Sequence, residues 1–186
     1  MAFVDADASV PKQARQAGKE LFDQREAVGE RIETLEAEIV AHTRQDKAAR
    51  RLATIPGIGP ITASLIAATV ADFGVFKRAR DFAAWLGLVP RQHSTGGKTR
   101  LGRITKTGNR EIRKCLVLGA QSMTFRARQW KSAAGVWTDS LLQRRPFRLV
   151  TVALANKIAR IAWALMTRNE VYHAKGHVVT AAQAVA

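Results

Sequence analysis

Leu21, Val28 and Leu35 recur at intervals of seven, and Ile32 and Ile39 fall between them, so the steps alternate between four and three. That spacing lines the apolar side chains along one narrow seam of an α-helix, and it predicts a single long helix over residues 12–50. Charges of both signs occupy the outer positions. Arg25, His42 and Asp46 take other seam positions, which holds the seam to roughly three heptads. Such a helix either pairs with a second copy as a coiled coil or packs as an amphipathic helix on its own domain. Both readings stay open on pattern alone. Pro11, after a polar beginning, predicts a disordered start over residues 1–11.

The 186 residues fit one moderate domain with an extension, and they carry a net charge of +15. The charge is uneven. Residues 1–50 hold ten acids and eight bases, whereas residues 51–186 hold five acids and twenty-two bases. This describes a polyanion-binding body behind a near-neutral helical arm. A membrane surface is the competing partner of a basic chain, but the bases cluster around glycine turns rather than on one amphipathic helix. Cys115 is the only cysteine, which excludes a disulfide framework and a thiolate metal site. The amino terminus lacks the basic start and apolar core of a signal peptide. Asn156, Lys157 and Arg160 interrupt the longest apolar run, Leu149 to Met166, against a membrane span. The expectation is a soluble, cytoplasmic protein with no membrane partner.

The segment Ile55-Pro56-Gly57-Ile58-Gly59-Pro60 ends one helix at Ile55 and starts another with Pro60 in its first turn. It resembles the helix-hairpin-helix element of DNA-binding proteins, with Ala63 small enough to let the helices approach. Gly57 and Gly59 would leave backbone N–H groups at a helix start open to a phosphate. A tight turn of purely structural purpose is the alternative.

Pro90 to Arg110 is the densest stretch. It carries Ser94 and Thr95 beside Gly96 and Gly97, then Lys98, Arg100, Arg103, Lys106 and Arg110. Gly97-Lys98-Thr99 looks like the end of a P-loop, but Gln92 stands where that motif requires glycine, and no strand is expected before it. From Arg91 to Lys114 there are eight bases against Glu111 alone. Lys106, Arg110, Arg113 and Lys114 follow a helical spacing that makes one basic stripe.

Asn109 is placed to cap a helix reaching about Arg128, with Ile112, Leu116, Gly119, Ala120, Met123 and Ala127 on its buried face. Short helices are expected at 78–86 and 133–143, and Arg144-Arg145 before Pro146 adds a positive corner. Phe147 to Arg168 is the most apolar helix and the expected centre of the core. From Asn169 the chain should be loose. His173 and His177 have a helical metal-ligand spacing but Gly176 between them and no third ligand, so no metal is expected in this chain. The fold class expected is all-α: an arm at 12–50, a helical domain at 51–172 and a loose tail at 173–186.

Two functions of different class fit these residues. In one, Ser94 attacks a phosphodiester, Arg91, Lys98, Arg100 and Arg103 supply the field that stabilises the phosphorus, and His93 handles the proton. In the other, the chain is a non-catalytic helix-hairpin-helix module, and Ser94 is only a turn former.

Ile55 to Pro60, Trp85-Leu86-Gly87-Leu88-Val89-Pro90 running into Arg91 to Lys98, and Leu101 to Arg110 resemble, in this order, the carboxy-terminal half of the insertion-sequence 110/116/902 transposases. These are bridge-RNA-guided recombinases related to the pilin-gene invertase. The resemblance spans roughly residues 20–172. It implies a catalytic serine at Ser94 that joins DNA covalently. Thr95, where family sequences often carry a second serine, is the alternative hydroxyl. It also implies a coiled coil, DNA and guide-RNA partners, and a RuvC-like domain whose four acidic residues bind Mg2+. Eight of the ten acids of residues 1–50 lie on the predicted helix, so that domain is expected to be missing and the chain inactive alone in transposition.

Overall fold

The computed structural model describes residues 11–93, 98, 100–130, 132–173 and 179–180. Two compact units divide the chain at Ala41/His42. The first is the arm. Helix α1, Lys12–Gln45, carries it and continues into the second unit. Along it Leu21, Val28, Ile32 and Leu35 are about half exposed or more.

The predicted helix over 12–50 is broken. Asp46 adopts an extended backbone, and its carboxylate accepts hydrogen bonds from the N–H groups of Ala48 (2.6 Å) and Ala49 (3.0 Å), so a new helix starts there. That helix, α2, spans Lys47–Ala53 and belongs to the body. Asp46 occupies a seam position, and the cap it makes explains why the seam ends.

The body is helical, as expected. Among the described residues the chain has seven α-helices. After α2 come α3 (Pro60–Thr69), α4 (Ala79–Trp85), α5 (Arg110–Phe125), α6 (Ala133–Leu142) and α7 (Phe147–Arg168). Helix α7 is central: Val150, Leu154, Ala155, Ile158, Ala159 and Ala162 are at most 2% exposed. Each larger aliphatic side chain there contributes roughly 1.5–3 kcal/mol by leaving water. By length and composition α7 could cross a membrane; here Leu154, Ala155, Ile158, Ala159 and Ala162 join Ile112, Leu116 and Ala120 of α5 in one core. Phe73, Phe76, Phe82 and Trp85 close one end of it, with ring centroids 5.1–5.9 Å apart. Trp163 Nε1 donates to the Phe76 carbonyl at 3.1 Å, satisfying its one polar atom.

Two short antiparallel pairs interrupt the helices. Strand β1 (Pro90–Gln92) pairs with β2 (Leu101–Ile104), Pro90 opposite Ile104 and Gln92 opposite Leu101, with an irregularity between. Strand β3 (Glu170–Val171) pairs with β4 (Val179–Thr180), so part of the expected loose tail returns to the body. His177 lies outside the described residues.

Candidate nucleic-acid interface

The turn between α2 and α3 separates the two glycines that the sequence treats as equivalents. Gly57 has φ +86°, and a methyl group there would strike Met123 Sδ and press on Ile158 Cδ1, at 3.0 Å. A methyl on Gly119 of α5 would overlap the Gly57 carbonyl itself. Gly57 is therefore required by its left-handed backbone and by a backbone-to-backbone crossing with α5. Gly59 differs: no atom lies within 4 Å of where its Cβ would be, and it sits extended at the start of α3, with Pro60 in the first turn. Gly59 is exposed, whereas Gly57 is half-buried.

The residues that flank the serine, Pro90–Gln92 and Leu101–Ile104, form a ribbon rather than an irregular loop. Two more positive-φ glycines build its base. Gly87 (φ +70°) lies against the backbone of Thr107, and Gly108 (φ +80°) lies against the Trp85 carbonyl, each too close for a side chain. Thr105 N donates to Val89 O (2.9 Å) and Lys106 N to Gly87 O (3.1 Å). Arg113 Nη1 donates to the carbonyls of Leu86 (2.9 Å) and Thr107 (3.0 Å), clamping both sides of the base to α5. Asn156 Nδ2 of α7 holds the Leu88 carbonyl at 3.1 Å. At the other end His93 N donates to Arg100 O at 2.8 Å, and the imidazole lies against Gly102. Ser94, Thr95, Gly96 and Gly97 follow His93 directly and lie outside the described residues.

Asn109 caps α5 as expected, its Oδ1 accepting from Ile112 N at 2.9 Å. Arg110 and Lys114 are exposed on α5, as are Lys98, Arg100, Arg103 and Lys106 before it. The side chains of these six make no hydrogen bond or ion pair among the described residues. Lys106 additionally holds a left-handed backbone, φ +57°, a conformation costing of order 1 kcal/mol in a residue with a Cβ. Two predicted contacts are engaged elsewhere. Arg113 serves the clamp, and Arg91 Nη2 reaches the Thr105 carbonyl at 3.4 Å. The ribbon thus presents a concentrated positive field with one nearby acid, Glu111, exposed in the first turn of α5.

Sequence reasoning missed Arg113's clamp and Asn156's anchor. The signal for Asn156 was present: a polar residue interrupting an apolar helix, read there only as evidence against a membrane span. Its neighbour Lys157 lies over the Trp137 ring at 4.3 Å, and burial, with Arg160 nearby, lowers its pKa. Among the described residues no three His, Cys, Asp or Glu side chains gather as metal ligands.

Residues 49–135 match the model of the Transposase IS116/IS110/IS902 family. The chain is 47% identical over 165 residues to a "Probable family 20 transposase" of Pseudomonas aeruginosa, covering 89% of this chain and 49% of that protein. It is 44% identical over 143 residues to the "Transposase for insertion sequence element IS1328" of Yersinia enterocolitica, covering 77% and 43%. With the "Pilin gene-inverting protein" of Moraxella bovis it shares 27% over 128 residues, covering 68% and 39%. The chain spans about half the length, or less, of these relatives.

Proposed function

The chain belongs to the IS116/IS110/IS902 transposase family, and from that premise we propose that its body grips DNA and presents Ser94 for strand cleavage and rejoining. The observation that supports this most is the ribbon: a base clamped by Arg113, and a run of exposed cations after the serine with no internal partner among the described residues. Phosphates are the chemistry such a surface fits.

In this reading Ser94 Oγ attacks phosphorus in a target phosphodiester. The Oγ–P bond forms, the bond from phosphorus to one deoxyribose oxygen breaks, and that oxygen takes up a proton. His93, adjacent and with its ring against Gly102, accepts the serine proton. Lys98, Arg100 and Arg103 stabilise the charge that grows on the phosphoryl oxygens. A sugar hydroxyl from the strand to be joined then displaces the serine. Thr95 is the alternative hydroxyl.

The Mg2+ that the resemblance assigns to a RuvC-like domain has no fitting donor set among the described residues, and no step here runs through it. The proposal leaves that metal to a separate domain. It further holds that α1 pairs with a second copy through Leu21, Val28, Ile32 and Leu35. A guide RNA is a second partner, Gly59 adds a backbone phosphate contact, and the working location is the cytoplasm at the nucleoid.

The test is a nicked target DNA incubated with this chain and a supplied RuvC-like domain, followed by denaturing electrophoresis. A protein–DNA adduct that disappears in Ser94→Ala is expected. An adduct that survives Ser94→Ala and is lost in Thr95→Ala moves the nucleophile. Indifference to both substitutions leaves a binding module.

A further inference from the structure

We propose that the corner where α5 ends and α7 begins is a second nucleic-acid surface, one that takes an unpaired strand. This rests on the nucleic-acid reading above but not on the ribbon. Phe125, the last residue of α5, is 71% exposed. Its ring is held 4.6 Å from that of Phe147 at an interplanar angle of 41°. Single exposed apolar residues are ordinary; the setting of this one is not. Arg126 follows Phe125, and Arg144, Arg145 and Arg148 lie within three residues of Phe147. Because the two rings touch, the two chain segments that carry these four arginines meet at one corner. All four residues are exposed, and none has a side-chain hydrogen bond or ion pair among the described residues.

Among the described residues no ion pair neutralises them. Asp139 is the only carboxylate between Glu111 and Glu170, and Arg128 already approaches it at 3.7 Å. Four unpaired cations repel one another and favour a polyanion. The exposed ring selects the form of that polyanion. In a duplex the base faces are covered by neighbouring bases, whereas an unpaired strand offers a bare face to stack on Phe125 while the arginines follow its phosphates. Arg126 also lines an open groove of about 590 Å³ with Gln129, Trp130 and the exposed Gly59. That volume suits a nucleotide-sized group, so a strand leaving Phe125 has a path toward the α2–α3 turn.

The shared chemistry of single-stranded DNA and single-stranded RNA is what the corner recognises, and the experiment separates them. Anisotropy titrations of the whole chain use labelled oligodeoxythymidylate, oligouridylate and a DNA duplex. Phe125→Ala should weaken single-strand binding roughly 5- to 150-fold, the equivalent of ~1–3 kcal/mol for one stacked base, and leave duplex binding unchanged. Phe125→Trp should retain it. An Arg144→Glu/Arg145→Glu variant should weaken single-strand binding and flatten its salt dependence. An Arg100→Glu/Arg103→Glu variant should do the reverse, losing duplex and keeping the single strand. Tighter binding of oligouridylate assigns the corner to RNA, and tighter binding of oligodeoxythymidylate to DNA. Unchanged single-strand affinity in Phe125→Ala overturns the proposal, as does loss of self-association in that variant in its place. Wild-type chain that binds duplex but no single strand overturns it while leaving the ribbon intact; chain that binds neither removes both.

Discussion

At Gly119 a single methyl group tests the packing of the whole turn. It would overlap the Gly57 carbonyl, and neither backbone can give way without moving a helix. Gly119→Ala should therefore cost about 2–3 kcal/mol and lower the thermal midpoint by roughly 4–12 °C. Gly59→Ala meets nothing within 4 Å and should cost about 1 kcal/mol or less, while weakening duplex binding. Equal thermal losses in the two variants would contradict the division of roles. Arg113→Lys tests the clamp. Both bonds come from Nη1, and the shorter lysine side chain does not carry its ammonium to that position, so stability should fall by about 1–3 kcal/mol. In Arg113→Gln, which removes the charge, the salt dependence of binding should stay put; a slope shallower by about 0.9 would return Arg113 to the phosphates. These roles were only half legible in the residues. A Pro-Gly-Ile-Gly-Pro turn announces itself, but which glycine is packed depends on what a helix sixty residues later brings against it.

Among the elements, the helices were the most readable, because an apolar face repeats often enough to be seen through local noise. Helix α7 keeps the bounds its pattern gave, Phe147–Arg168. The break at Asp46 escaped because the spacing ran past it, although a carboxylate at a seam position was a hint of the cap. The ribbon escaped for a different reason. Strands of three and four residues, largely exposed, show no alternation of apolar and polar positions. What holds them is backbone bonding at the base and a side chain from α5, neither of which leaves a local pattern. The arm's seam carries a testable consequence. If α1 pairs with a second copy, Leu35→Asp places a charge in the middle of it, and sedimentation should report a monomer where the parent chain is a dimer. A parent chain already monomeric, or a variant of unchanged mass, would rule the pairing out.

For the molecule as a whole, charge and family point the same way. A body with twenty-two bases and five acids beyond residue 50 is stabilised by packing that needs none of the ribbon's exposed cations, so those cations are available to a partner. The candidate serine itself lies outside the described residues, and what the fold contributes is its neck: the His93–Arg100 hydrogen bond and the clamp beneath it. The salt dependence of duplex binding counts the cations that meet phosphates. If about four of the cations between Arg91 and Lys114 meet phosphates, a plot of log affinity against log salt should fall with a slope near −3.6. Removing Arg100 and Arg103 together should make the slope shallower by about 1.8. A slope near zero, or one that the double substitution leaves unchanged, would contradict the assignment of the ribbon as the DNA-gripping surface.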